Sequence, residues 1–429
     1  MTERIVFLAG RPEFLFDAEC TVIETYHFGD AGAAAYVECD SEIEAAIRRH
    51  DRVLAVEDNQ RISIPMEPDA VSQAPEDVAT IEDVRRLHNV PADDATGKGQ
   101  TVVAMDSGVD TSHPVFQSAS IEQVDVTGSG DGDAVGHGTG VLGQITQLAP
   151  EADLISLRIF GEEGTTETNV IMRAYEWLHT NVGSYDVVNM SWGSSERSTE
   201  IDRVHNELIE KGVRDVVSAG NSGDTAGSPA TAKRAFGIAA CTEEGKIADF
   251  SSYNPDRDNP DVAAIGVNNR LAQASGTAMG EELPGPWVKA SGTSFSAPAV
   301  AGMVAKYLTR KGETPPGQIK ADFEETARDI PDQPRDGAGL IDYAAAVGER
   351  GSGPPSVPSP RQRETNAIVQ DLVAHDVIYL EADWLAAGEY RVTRQESEGS
   401  VVVAFEQLSG NGGPNGEGSG TDSGADGGS

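Results

Sequence analysis

The sequence predicts an α/β protein: a parallel-sheet core domain, preceded by a small α+β domain and followed by a short β appendage. Three observations carry this. The runs "QTVVAMD", "ADLISLRIF", "DVVNMSWG" and "RDVVSAGN" are short and almost continuously apolar, the pattern of parallel strands buried on both faces. Helical stretches such as "VIMRAYEWLHTNV" and "EIDRVHNELIEKG" lie between them, and alternating strand and helix builds a parallel sheet. The first 65 residues and the region after the core instead hold strands joined by turns.

In chain order, residues 1–65 open with the strands "RIVFLAG" and "TVIETYHF", then a Gly29-Asp30-Ala31-Gly32 turn and the strand "AAAYVECD". The helix "SEIEAAIRRH" follows, with Ser41 as its expected cap, and "RVLAVEDNQ" is the last long strand. This order predicts a split βαβ (ferredoxin-like) unit whose first helix is nearly deleted. Residues 66–79, containing "PMEPDAVSQAPED", read as an exposed linker. The core domain is expected over 80–348 and a stiff linker, "GSGPPSVPSP", over 349–363. "DVIYLEAD", "EYRVTRQ" and "SVVVAFEQ" predict a β appendage over 364–407, and the Gly/Ser/Asp-rich residues 408–429 a disordered tail.

The 429 residues carry a formal net charge of -38, with 8 Lys and 24 Arg among the basic residues. Such a chain repels nucleic acid and anionic membranes, so neither is expected as a partner. Acidity spread along a Lys-poor chain resembles the halophilic composition of proteins from salt-saturated cytoplasm, where about 1 M salt shortens the Debye length to ~3 Å. Cys20, Cys39 and Cys241 are too few for a disulfide framework, and reduced thiols are expected. Cys20 and Cys39 flank the predicted hairpin. "MTERIVFLAGRPEF" has no secretory leader pattern, so a cytoplasmic location is expected if Met1 is the true start.

Ligands of parallel α/β sheets bind beyond the carboxyl ends of the strands. Asp106 ends "VVAMD", Asn221 ends "VVSAGN", His137 opens the helix of "GHGTGVLG", and Ser294 heads the helix of "SGTSFSAPAVAGMVAKYL". Each has a plain structural reading, as turn former, helix-terminal polar group or cap. Together, Asp, His and Ser are the parts of an activated hydroxyl nucleophile, and an Asn amide suits a developing oxyanion.

The stretches "VVAMDSGVDTSHP", "GHGTGVLG", "VVNMSWG", "VVSAGNSG" and "SGTSFSAPAVAG", in that order, resemble the subtilisin-like serine proteases over roughly residues 80–348. The resemblance implies a subtilisin-like catalytic domain and a serine endopeptidase working through an acyl-enzyme on polypeptide substrates. It implies Asp106 as orienter, His137 as base, Ser294 as nucleophile and Asn221 as oxyanion donor, with Thr293 lending a further hydroxyl. It also implies that Ser191, Trp192, Gly193, Ser218, Ala219 and Gly220 line the first pocket, and that Gly164, Thr165 and Thr166 form an edge strand for substrate. Trp192 stands where the family usually has Leu. Val115 replaces a frequent calcium-binding Asp, and "GQITQLAPEADL" lacks the usual calcium loop, so no metal or other cofactor is expected; Gly140 replaces a frequent second His. The N-terminal unit resembles the family's inhibitory propeptides, which implies an intramolecular inhibitor. The alternative reading is a catalytically silent module that holds peptides in the same cleft; an esterase is disfavoured by the missing G-x-S-x-G elbow.

Overall fold

The computed structural model describes residues 2–16, 18–64, 78–93, 95–254, 259–330 and 335–349, and the backbone of two further strands, 389–397 and 400–408. The chain divides into two compact units, 1–355 and 356–429.

The N-terminal domain is a four-stranded antiparallel sheet. Its strands are β1 (Thr2–Leu8), β2 (Thr21–His27), β3 (Ala33–Cys39) and β4 (Val53–Asp58), ordered β2-β3-β1-β4. Only a short 3-10 turn, Glu13–Phe16, stands between β1 and β2, where a split βαβ unit would carry a helix. One helix, α1 (Ser41–Ile47), links β3 to β4. Its cap is Asp40 rather than the expected Ser41. Asp40 is extended, and its carboxylate accepts the Glu42 and Ile43 amides at 3.0 Å each, while Ser41 is already helical. Alternation along the sheet puts Val6, Leu8, Val37 and Cys39 on the α1 face, and Ile5, Phe7, Ala34 and Tyr36 on the face toward the core domain. A short strand β5 (Arg61–Ser63) follows.

The core domain contains, in order, α2 (Ile81–Leu87), β6 (Thr101–Asp106), β7 (Ser120–Asp125), α3 (His137–Leu148), β8 (Asp153–Arg158), β9 (Thr165–Glu167) and α4 (Thr168–Thr180). Then come β10 (Val187–Met190), α5 (Thr199–Glu210), β11 (Arg214–Ser218), β12 (Gly237–Cys241), β13 (Val262–Ile265), β14 (Asn269–Ala272), β15 (Glu281–Leu283) and β16 (Trp287–Ala290). The helices α6 (Thr293–Lys311), α7 (Pro316–Thr326) and α8 (Tyr343–Ala346) complete it. Seven strands form one parallel sheet, ordered β13-β12-β11-β10-β6-β8-β7.

Both faces of this sheet are covered, which is why its central strands read as unbroken apolar runs. Along β6, Val102 and Ala104 join the core packed by α3 and α6, while Val103 and Met105 join the core packed by α4 and α5. No helix among the described residues is long and apolar enough to cross a membrane.

The second unit contributes β17 (Glu389–Ser397) and β18 (Ser400–Leu408), an antiparallel pair with Val392 opposite Phe405. The expected strand "DVIYLEAD", both linkers beyond their first or last few residues, and the tail lie outside the described residues.

Candidate active site

Asp106 is the last residue of β6 and is buried. Its Oδ1 accepts the His137 Nδ1–H at 2.8 Å and the Ser107 amide at 2.7 Å. That contact fixes the imidazole tautomer, leaving Nε2 as the free base. Among the described residues His137 Nε2 has no hydrogen-bond partner, although it is buried. Burial disfavours the imidazolium, but the Asp106 carboxylate, by charge and hydrogen bond, and the Asp133 charge outweigh it. The pKa of His137 is therefore raised from its ordinary 6.5.

His137 opens α3 without a side-chain cap, because Gly136 at the cap position has left-handed φ of +94°. A Cβ there would also meet Thr277 Oγ1 at 2.6 Å, so only Gly fits. Asp133 takes over the capping. Its Oδ2 accepts the Thr139 amide at 2.9 Å and the Thr139 hydroxyl at 2.7 Å. Its Oδ1 accepts the Gly136 amide at 2.8 Å and the Ser107 hydroxyl at 2.9 Å. Ser107 Oγ in turn accepts the Gly138 amide at 2.9 Å. One carboxylate thus ties the β6 end to the start of α3 and holds Asp106 and His137 in register.

Ser294 is the second residue of α6 and buried. It is no cap, contrary to the sequence reading: α6 begins at Thr293 after an extended Gly292 and has no side-chain cap of its own. The Ser294 hydroxyl donates to Ser191 O at 3.2 Å. A proline inside the helix explains the rest of this contact. Pro298 has no N–H, so the Ser294 carbonyl loses its helical partner. The Ser191 hydroxyl replaces it, donating to Ser294 O at 2.8 Å, and is itself held by Asn189 Nδ2 at 2.9 Å. The Phe295 ring lies against the imidazole, with centroids 5.3 Å apart.

Asn221 follows the β11 end. Its Oδ1 accepts both the Thr293 amide at 2.9 Å and the Thr293 hydroxyl at 2.8 Å. Asn221 therefore caps α6 from outside, and its amide orientation is fixed with Nδ2 as the remaining donor. A Cβ on Gly292 would stand 3.3 Å from that Nδ2. The Thr293 hydroxyl, expected to lend a further donor to an oxyanion, is engaged in this structure. That hydroxyl donates to Asn221 and accepts the Gly220 amide at 3.1 Å. The Ser294 N–H is a first-turn amide, a group with no partner inside the helix.

Of the pocket residues, Ser191, Trp192, Ser218 and Ala219 are buried, while Gly193 and Gly220 reach the surface. Gly164, Thr165 and Thr166 lie on and beside β9, which carries a guest. β5 pairs with it antiparallel, Ile62 opposite Thr166, and the Ile64 amide donates to Gly164 O at 3.0 Å. Ile62 and Ile64 are 5% and 4% exposed, in the same apolar cluster as Trp192 and Ile171, while Arg61 and Ser63 point out.

The rest of the N-terminal domain sits on α4 and α5. Glu24 receives Arg173 through two nitrogens, at 2.9 and 2.5 Å. Glu176 accepts the His27 amide at 2.9 Å. Ser198, the α5 cap, donates to Glu57 at 2.8 Å. The start of α4, which has no side-chain cap of its own, is closed by Thr168 N–H to Gln60 O at 3.0 Å and Asn169 N–H to Asn59 Oδ1 at 3.0 Å.

Asp133, Ser107 and Asn189 escaped the sequence reading, and so did the contact of Thr293 with Asn221. An acid just before a helix that starts at Gly-His was the available signal for Asp133. The others act through contacts distant in sequence, which no local pattern records. Among the described residues no cluster of His, Cys, Asp or Glu could hold a metal ion.

Residues 97–351 match the subtilase family. Subtilisin NAT of Bacillus subtilis subsp. natto is 30% identical over 270 residues, covering 59% of this chain and 66% of its own length, so the chain spans just under two thirds of that relative. A subtilisin of Bacillus pumilus is 29% identical over 270 residues, covering 59% of this chain and 92% of its own. Among solved structures, fervidolysin from Fervidobacterium pennivorans, a keratinolytic enzyme related to subtilisin, has a TM-score of 0.65 at 21% identity, covering 81% of this chain and 61% of that one. The last likeness is one of fold.

Proposed function

The chain belongs to the subtilase family, and on that premise we propose that it is a serine endopeptidase kept in check by its own N-terminal domain. Ser294 Oγ attacks the substrate carbonyl, His137 Nε2 takes the proton, and Asp106 holds the imidazole and stabilises its charge. Asn221 Nδ2 and the Ser294 N–H stabilise the oxyanion of the tetrahedral intermediate. His137 then protonates the leaving amine, and water hydrolyses the acyl-enzyme by the same base. The observation that carries this reading is the 2.8 Å Asp106–His137 contact at the end of β6 with Nε2 left free. Before attack the Ser294 hydroxyl leaves Ser191 and turns to the imidazole, a step between staggered side-chain rotamers.

Substrate adds as a strand to Gly164, Thr165 and Thr166, with Gly193 facing it from the other side and Ser191, Trp192, Ser218, Ala219 and Gly220 around the first pocket. The docked segment 61–64 supports this reading, since it occupies that edge as a peptide would and buries the alternate residues Ile62 and Ile64. While it stays there, substrate is excluded. The test is hydrolysis of a fluorogenic peptide that repeats Ile-Ser-Ile, in molar KCl, by wild type and Ser294→Ala. Wild type turns it over once its N-terminal domain has left, and the variant does not. Equal turnover by the two would refute Ser294 as nucleophile. A folded wild type that binds the peptide without cleaving it would mark a silent binding module.

A further inference from the structure

The N-terminal domain holds a pair of groups that peptide hydrolysis does not use. In the β2/β3 ladder Thr21 lies opposite Glu38 and Val22 opposite Val37. One further step of that register sets Cys20 opposite Cys39. Directly opposed residues share a face of the sheet, and these two do. Cys39 belongs to the cluster of Val37, Leu15 and Ile47 on the α1 face, and Cys20 packs against the same cluster. Opposed Cα atoms of antiparallel strands lie about 4.5–5.5 Å apart, within the ~4.4–6.8 Å that a disulfide bridges. Both thiols are free in this structure, Cys20 half-buried and donating to Leu15 O at 3.4 Å, Cys39 buried.

We propose that Cys20 and Cys39 are a redox-linkable pair whose oxidation staples β2 to the sheet. The strand matters because it is an edge strand of this domain and also carries the domain's grip on α4, through Glu24 to Arg173 and the His27 amide to Glu176. An edge strand is held by one neighbour only, so a covalent tie at the residue just before it removes the fraying that would free those contacts. A low-molecular-weight disulfide such as oxidised glutathione is the oxidant. The half-exposed Cys20, as thiolate, attacks one of its sulfurs and releases one glutathione thiolate. Cys39, as thiolate, then attacks Cys20 Sγ and releases the second. The two cysteine protons pass to the two glutathione thiolates, and the two electrons reduce the glutathione disulfide. Burial raises both thiol pKa values above the ordinary 9.0, so the exchange quickens with alkaline pH. Cys241, fully buried in the core domain, serves as the internal control.

The test uses the full-length Ser294→Ala chain in molar KCl, so that self-cleavage cannot intervene, and neither readout requires the domain to be an inhibitor. After oxidised glutathione and quenching by alkylation, peptide mapping is expected to find a Cys20–Cys39 link, with an intact mass lower by two hydrogens and Cys241 still a thiol. Hydrogen exchange of the Thr21–His27 amides should slow about tenfold on oxidation. In Cys20→Ser both effects should vanish. Glutathione retained on Cys20 without the link, a link that leaves β2 exchange unchanged, or slowing that persists in Cys20→Ser would each overturn the proposal.

Discussion

Pro298 and Asp133 show, at the scale of single residues, how side chains outside the candidate catalytic group shape its geometry. Pro298 withdraws an N–H from Ser294 O, and Ser191 fills the gap with its hydroxyl. Asp133 gathers amides and hydroxyls from both sides of the site and adds its charge to that of Asp106 at His137. Asp106, His137, Asn221 and Ser294 stood out in the sequence as candidates, because strand ends and helix starts in a parallel sheet point to one place. Their supports did not, since a partner such as Thr293 for Asn221 is set by folding. The charge balance at His137 carries a prediction. A general base must be neutral, and its pKa is raised from 6.5. Activity against pH should therefore rise through a midpoint above 6.5. A kcat/KM profile whose acid limb has its midpoint at or below 6.5 would contradict the Asp106–His137 coupling.

Among elements, the strands that escaped sequence reading are the informative ones. β12 "GIAAC" and β13 "VAAI" are short and rich in small residues, because α6 packs across them. β7 "SIEQVD" is an edge strand with polar residues facing out. β6, β8, β10 and β11 lie inside the sheet and were legible as apolar runs. β5 is the element with most bearing on function. Its Ile62 and the Ile64 just after it fill the cluster around Trp192, and its backbone takes the β9 edge. Ile64→Asp places a charge in that apolar site, which disfavours docking. The expected outcome is earlier loss of the N-terminal domain and earlier onset of peptide hydrolysis, followed by intact-mass and activity time courses. An unchanged lag would show that β5 does not control access to the site.

For the whole molecule, the charge of -38 is the dominant property. At about 0.1 M salt the Debye length is ~10 Å and like charges repel across the surface; at about 1 M it is ~3 Å. The melting temperature of Ser294→Ala is therefore expected to rise from dilute buffer to molar KCl, and equal values would refute a salt-adapted surface. Acid should destabilise the fold through His88, which joins distant segments. Its Nδ1–H donates to Ile341 O at 3.1 Å and its Nε2 accepts the Ile265 amide at 3.1 Å. That bonding needs the neutral ring, and burial lowers the pKa to about 4. A lowered pKa means that the stabilisation is complete above the unfolded value of about 6.5 and is lost as pH falls toward 4, on the order of 3 kcal/mol. Urea unfolding should show the gap between Ser294→Ala and the same chain with His88→Asn closing over that window. A constant gap would contradict the neutral-ring role.

In the proposed mechanism Ser294 is an activated nucleophile in a site that the N-terminal domain covers. A fluorophosphonate probe, applied in molar KCl and located by peptide mapping, tests this directly. A single adduct on Ser294 is expected, fast in chains that have shed the N-terminal domain, slow in full-length chains, and missing from Ser294→Ala. An adduct on another residue, or none on a chain that hydrolyses peptides, would contradict this mechanism.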